Sequence, residues 1–186
     1  MARRILAAVE VTAMRVCEIL TADHANGDGM RVTVFVSGCL NRCRGCFNPE
    51  TWKFSYGEIY TQEIEDQIIE ELAKPYYQGI TVLGGEPFER PNQPEVLKLI
   101  RRVRAELPGK DIWVYTGYTY ESDLSYGGTR HMWVTDDILD NIDVLVDGRF
   151  IEEQKDLRLH FRGSANQRLI DMKKTRAEGK VCLWEE

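Results

Sequence analysis

Cys39, Cys43 and Cys46 fall within eight residues in the run Cys39-Leu-Asn-Arg-Cys43-Arg-Gly-Cys46, directly after Val32-Thr-Val-Phe-Val36, an apolar stretch that reads as a buried β-strand. Three thiolates on one loop can hold an iron–sulfur cluster. A cubane of four irons takes four outer ligands, usually Cys thiolates, so three of them leave one iron open to a molecule other than protein. An open iron implies chemistry beyond electron storage. The same spacing could hold zinc, with Cys17, Cys182 or His24 as a fourth ligand. Zinc sites, however, usually come as two separated ligand pairs, and this chain offers a single triplet. Asn41, Arg42 and Arg44 make the loop too polar for a core, and the two arginines favour thiolates. Cys17 and Cys182 stand in apolar runs and read as buried free thiols.

The elements that position this loop alternate between strand and helix. Thr61 caps a helix with Ile64, Ile68, Ile69 and Leu72 at helical spacing, stopped by Pro75. Ile80-Thr-Val-Leu83 is a strand running into Gly84-Gly85-Glu86-Pro87. Pro94 stands at a first helical position, and Val96, Leu97, Ile100, Val103 and Leu107 trace an amphipathic helix ended by Pro108-Gly109. Ile112-Trp-Val-Tyr115 is the next strand, ending at Thr116-Gly117. Thr135 caps a short helix through Ile142, and Val144-Leu-Val146 leads into Asp147-Gly148. Such alternation predicts right-handed βαβ units and an α/β fold with a mostly parallel sheet, whose ligands collect at the carboxyl ends of the strands. The cysteine loop, Gly84-Gly85, Thr116-Gly117 and Asp147-Gly148 all fall there. Two glycines after a strand let backbone approach a ligand closely, though a tight turn needs them too. Thr116 and Asp147 could bond a ribose or hold charge near a cluster. About four units are too few for a closed eight-stranded barrel, so an open or partial barrel is expected. Tyr118 to Met132 reads as a weakly structured excursion.

At 186 residues with a formal net charge of -6, the chain is long enough for one domain over 1–186, with an N-terminal extension at 1–15 and a tail at 174–186. An acidic balance argues against nucleic acid as a partner. The five small or apolar residues between Arg4 and Glu10 are too short for a signal-peptide core, and no window approaches the roughly 20 apolar residues that span a bilayer. The expectation is a cytoplasmic protein with no membrane partner. No dinucleotide fingerprint or phosphate loop is present. His24, His131 and His160 are scattered and read as surface residues.

In these motifs the chain resembles the activating enzymes of anaerobic class III ribonucleoside-triphosphate reductases, members of the radical S-adenosylmethionine (SAM) superfamily. The resemblance runs from about Val16 to Arg168. It is carried by Asn26-Gly-Asp-Gly-Met-Arg31, Phe35-Val-Ser-Gly-Cys39, Arg44-Gly-Cys46-Phe47-Asn48, Thr51-Trp52, Gly84-Gly85-Glu86-Pro87, Gly109-Lys-Asp-Ile-Trp-Val114, Tyr115-Thr-Gly-Tyr118, Val144-Leu-Val-Asp-Gly148 and Arg162-Gly-Ser-Ala-Asn-Gln167. The cysteine triplet and Gly-Gly-Glu-Pro occur widely in radical-SAM enzymes; the Trp-Val-Tyr-Thr-Gly-Tyr and Arg-Gly-Ser-Ala-Asn-Gln stretches narrow it to this family.

The resemblance implies that Cys39, Cys43 and Cys46 bind three irons of a 4Fe-4S cluster and that the fourth iron chelates SAM. The Gly84-Gly85-Glu86 turn would hold the methionine end of SAM, with Thr116 and Asp147 as further contacts, and Gly45, Cys46 and Phe47 would meet the adenine. Many radical-SAM proteins have an aromatic residue where this chain has Gly45, which directs the adenine contact to Phe47 or to backbone. The implied reaction begins with an electron from an external one-electron donor and yields methionine and a 5′-deoxyadenosyl radical. That radical takes hydrogen from one glycine of the large reductase subunit. Activation of another glycyl-radical enzyme such as pyruvate formate-lyase, or a zinc-stabilised binding module, are the alternatives.

Overall fold

The computed structural model describes residues 13–185. Most of the expected N-terminal extension, including Met1 to Glu10, lies outside the described residues. Four strands run parallel through the centre of one seven-stranded sheet: β2 (Arg31–Val36), β4 (Gly79–Gly84), β5 (Asp111–Tyr115) and β6 (Val144–Asp147). β1 (Arg15–Asp23) joins antiparallel to β2 and to the short β3 (Glu58–Ile59), and β7 (Arg168–Asp171) joins antiparallel to β6. The order is β3-β1-β2-β4-β5-β6-β7, an open α/β sheet with β3 and β7 as its edges. The mostly parallel pairing expected from the sequence is found in the centre, between β2, β4, β5 and β6. Both antiparallel flanks come from segments whose short alternations do not fix strand direction.

Helices α1 (Gln62–Leu72), α2 (Gln93–Glu106), α3 (Thr135–Asn141) and α4 (Met172–Glu178), with short helical turns at Pro49–Trp52, Tyr120–Leu124 and Glu152–Gln154, supply the remaining regular structure among the described residues. Thr61 caps α1 as its sequence predicts, its hydroxyl accepting from the Ile64 N–H at 3.4 Å. Two expected caps shift. Pro94 is the second residue of α2, which begins at Gln93. Thr135 is the first residue inside α3, and its hydroxyl donates to Gln93 Oε1 at 2.6 Å, tying α3 to α2.

The pleat of the sheet sorts the core into two layers. Ile112, Val114, Leu145 and Ile170 belong to the larger cluster with α1 and α2, while the alternate residues Trp113, Val144, Val146 and Leu169 form a second cluster. Trp184 and Phe161 complete that second layer, with ring centroids 5.1 and 5.4 Å from Trp113. The tail at 174–186 thus packs against the core: after Gly179 ends α4, Leu183 bridges to Ile170 and the Trp184 N–H bonds the Leu169 carbonyl at 2.8 Å. Tyr118 to Met132 is likewise ordered, because Asp123 accepts from Thr119 N and Thr129 Oγ1 and Leu124 is fully buried.

At one end of the Asn26-to-Arg31 motif Asn26 lines a cavity at the strand ends, and at its carboxyl end Arg31 has a structural role. Its guanidinium is buried, pairs with Asp111, donates to Thr81 Oγ1 at 2.7 Å and to the carbonyls of Asp28 and Ile80, and lies 5.2 Å from the Trp113 ring centroid. A buried charge is tolerated only when so fully partnered. Among the described residues no helix is long and apolar enough to cross a membrane.

Candidate cluster and ligand site

Parallel strands in register end together, and that brings the distant motifs to one rim. Val36 of β2 stands opposite Gly84 of β4, Val82 opposite Val114 of β5, and Tyr115 opposite Val146 of β6. The loops leaving these four ends enclose a cavity of about 620 Å³. Cys39, Cys43 and Cys46 line it together with Gly84, Gly85, Glu86, Thr116, Gly117, Phe47 and Gly148. Gly45 and Asp147 do not. Gly45 packs against the Glu152 side chain, and Asp147 is turned toward β7.

The cysteine loop is fixed from behind by two buried carboxylates on the β4–α2 connection. Glu89 accepts the Leu40 N–H at 2.9 Å and the Tyr118 hydroxyl at 2.7 Å. Glu86 accepts from the Asn41 side chain at 3.2 Å, the Thr116 hydroxyl at 2.8 Å, and the backbone N–H groups of Gly117 at 2.7 Å and Phe88 at 3.0 Å. Burial nevertheless pushes Glu86 up to about 7. Glu86 thus joins three of the four strand-end motifs as a brace. The two glycines before it are required by the neighbouring strand: a Cβ on Gly84, whose φ is +110°, would sit 2.7 Å from the Val36 backbone, and one on Gly85 would sit 2.7 Å from the Gly38 carbonyl. This close approach presses the Gly-Gly turn against the root of the cysteine loop.

The donor set fits an iron–sulfur cluster. Thiolates are soft ligands, and all three free cysteines of the loop border one cavity. Burial, then the Glu86 carboxylate, pushes the Cys39 thiol up to about 12, a cost that coordination removes by deprotonating the sulfur. Among the described residues no three His, Cys, Asp or Glu side chains converge as a single-ion site requires. Thiolates that each meet a different corner of a cubane need no such convergence. Cys17 and Cys182 are free but only half-buried, which corrects their reading as core thiols: each lies near a sheet edge, where one side stays open. The two loop arginines do not act as expected either. Arg44 pairs outward with Glu152 at 2.9 Å and Glu153 at 3.4 Å, and Arg42 lines a different recess.

Apolar residues form the mouth. Phe47 is 63% exposed and meets Phe150 with ring centroids 5.5 Å apart, and Leu157, 87% exposed, lines the same cavity. Beside the Nε1 of Trp52, two further polar groups of the cavity lining lack partners among the described residues: the buried Tyr115 hydroxyl and the Nε of Arg162. Burial raises the Tyr115 phenol, which keeps it protonated. Neither group nor Phe150 announces itself by spacing. Arg162 was legible only as part of Arg162-Gly-Ser-Ala-Asn-Gln167, and the structure shows what that stretch does. Gln167 Oε1 accepts from Gly163 N at 2.9 Å, while its amide and that of Asn166 donate to the Gly148 and Arg149 carbonyls at 3.0 and 2.8 Å. The stretch is a clasp that carries Arg162 to the cavity from the end of β6. Arg168 fixes the clasp through Asp147, donating from Nε at 2.9 Å and Nη2 at 2.5 Å, and it also forks onto Glu121. His131 pairs with Asp136 at 3.1 Å, and His24 is exposed.

Comparison with known proteins agrees with this chemistry. A model of the 4Fe-4S single cluster domain matches residues 25–170. The chain is 46% identical over 147 residues to the anaerobic ribonucleoside-triphosphate reductase-activating protein of Escherichia coli (strain K12), covering 78% of this chain and 90% of that protein. The protein of the same name from Vibrio cholerae is 48% identical over 148 residues, 78% of this chain and 90% of its own. That of Enterobacteria phage T4 is 37% identical over 151 residues, 81% of this chain and 90% of its own.

Proposed function

From the premise that the chain belongs to the anaerobic ribonucleoside-triphosphate reductase-activating proteins and to the 4Fe-4S single cluster domain family, we propose that Cys39, Cys43 and Cys46 hold the cluster of a radical-SAM activase. Its target is the anaerobic reductase. When bound, cluster and SAM together supply a 5′-deoxyadenosyl radical that takes a hydrogen atom from one backbone glycine of that reductase, the organic chemistry being the cofactor's own.

The chain's residues bind, orient and shield. One observation carries the reading: three thiols, a strand-end Gly-Gly turn and an Arg162 Nε without a partner among the described residues line one cavity of about 620 Å³. The backbone of Gly84 and Gly85 would hold the ammonium end of the methionine portion, and Arg162 would meet its carboxylate. Thr116, held by Glu86, presents its oxygen to a ribose. Phe47, Phe150 and Leu157 cover the nucleoside and keep water from the reacting centre. Asp147 serves this site at one remove, by fixing Arg168 and the Tyr120 N–H at 2.9 Å. The open sheet, parallel in its centre, is in this reading the partial barrel expected of the fold.

Anaerobic reconstitution with iron and sulfide, followed by metal analysis and a spectrum of the dithionite-reduced protein with and without SAM, tests the assignment. A four-iron cluster whose signal changes on adding SAM is the expected result. Zinc in its place, or a cluster indifferent to SAM, would contradict it.

A further inference from the structure

The cysteine loop is a partition one residue thick. Cys39, Asn41 and Cys43 line the cavity described above, whereas the intervening Leu40 and Arg42 line a second recess of about 600 Å³. Trp52 borders both, and its carbonyl accepts the Cys39 N–H at 3.3 Å. The recess therefore reaches a cluster ligand through a single hydrogen bond.

Its chemistry is specific. Leu40 and Ile59 form a floor that is about half exposed, and Arg15, Arg42 and Lys53 supply the charge. Among the described residues no carboxylate lines it, in a chain with 30 acidic against 24 basic residues. Arg42 and Lys53 form no ion pair among the described residues, in contrast to Arg44, which Glu152 and Glu153 offset. Arg15 spends one nitrogen on the Gly57 carbonyl at 2.8 Å and, among the described residues, none on an acid. An apolar floor with an unneutralised cationic rim is complementary to an acidic protein surface.

The activase reading adds a need. Breaking a carbon–sulfur bond of a sulfonium to give a radical consumes one electron, and the first cavity is then filled by SAM. The recess is a second approach to the same loop. We propose that it docks an acidic one-electron carrier protein, which loses one electron as the cluster gains one, with no bond made or broken. This rests on the activase reading.

The test uses the reconstituted holoprotein and plant-type ferredoxin, an acidic carrier with a potential of about -400 mV. Calorimetry measures binding of oxidised ferredoxin, and stopped-flow absorbance follows cluster reduction by the reduced form, with dithionite as the small-molecule control. Arg42→Glu/Lys53→Glu should weaken binding and slow reduction by ferredoxin at least tenfold, leaving iron content and the dithionite rate unchanged. Raising salt should slow the wild type and not the variant. Because Arg42 lies between two cluster cysteines, Arg15→Glu/Lys53→Glu repeats the test outside the loop. Unaltered ferredoxin binding and rate in both variants would overturn the proposal, and a change in oligomeric state alongside them would give the recess to a second copy of the chain. Absence of SAM cleavage by dithionite-reduced wild type would instead strike the activase reading itself.

Discussion

The Glu86 carboxylate accepts the Thr116 hydroxyl at 2.8 Å and so ties the end of β4 to the end of β5. Burial holds this carboxyl up at about 7, above the ordinary glutamate value of 4.5. A raised carboxyl stabilises the fold fully below about pH 4.5, where both states are protonated, and that contribution is lost as pH rises through about 7. Between those limits the metal-free wild type should lose about 3 kcal/mol relative to Glu86→Gln, which has no proton to release. Chemical unfolding of both proteins across this range measures it; parallel profiles would show that the four donors keep Glu86 ionised throughout.

The ligand assignment separates the five cysteines into two groups. Cys39→Ala, Cys43→Ala and Cys46→Ala should each abolish assembly of a SAM-responsive cluster. Cys17→Ala and Cys182→Ala should bind iron and sulfide like the wild type. Iron content and the reduced spectrum give the answer, and equal loss in Cys17→Ala and Cys43→Ala would overturn the assignment.

Backbone proximity makes Gly85 a sharp probe of how the cysteine loop is seated. A methyl there would lie 2.7 Å from the Gly38 carbonyl and 3.0 Å from the Thr51 carbonyl, neither of which can rotate away. Gly85→Ala should cost about 3 kcal/mol, the upper end for overpacking, and lower cluster occupancy. Ordinary stability and occupancy would mean that the Gly-Gly turn is looser than described.

Arg168 and Asp147 offer a separation of structure from binding. Asp147 is buried and Arg168 about one-third exposed. Arg168→Met leaves the carboxylate unpaired and should destabilise by about 3 kcal/mol, the low end for breaking a buried pair. Asp147→Asn with Arg168→Met should recover part of that loss. If Asp147→Asn alone weakens SAM binding while leaving unfolding unchanged, Asp147 contacts the ligand directly and its bracing role is wrong.

Much of this site is legible in sequence because the parallel strands carry long apolar runs that end abruptly in glycine or polar residues. Val32 to Val36, Ile80 to Leu83, Ile112 to Tyr115 and Val144 to Val146 therefore fix both the strands and the rim where their loops meet. β1 and β7 escape the same reading. β1 mixes half-buried with exposed positions and the four-residue β7 buries both Leu169 and Ile170, so neither shows a clean period of two, and pairing direction depends on partners far away in the chain. Arg162 and Tyr115 escape for another reason: what marks them is the lack of a polar partner in a cavity, a property of packing with no local pattern. Asp147 shows the converse. A strand-end acid suggests a ligand contact until the fold supplies Arg168 from a strand beyond it.

The central claim is that this chain makes a glycyl radical on an anaerobic ribonucleoside-triphosphate reductase. Electron paramagnetic resonance of that reductase, mixed anaerobically with the reconstituted, dithionite-reduced protein and SAM, tests it most directly. A glycyl-radical signal on the reductase, formed together with methionine and 5′-deoxyadenosine and lost in Cys43→Ala, is the expected result. SAM cleavage without a radical on the reductase, or no cleavage at all, would contradict it.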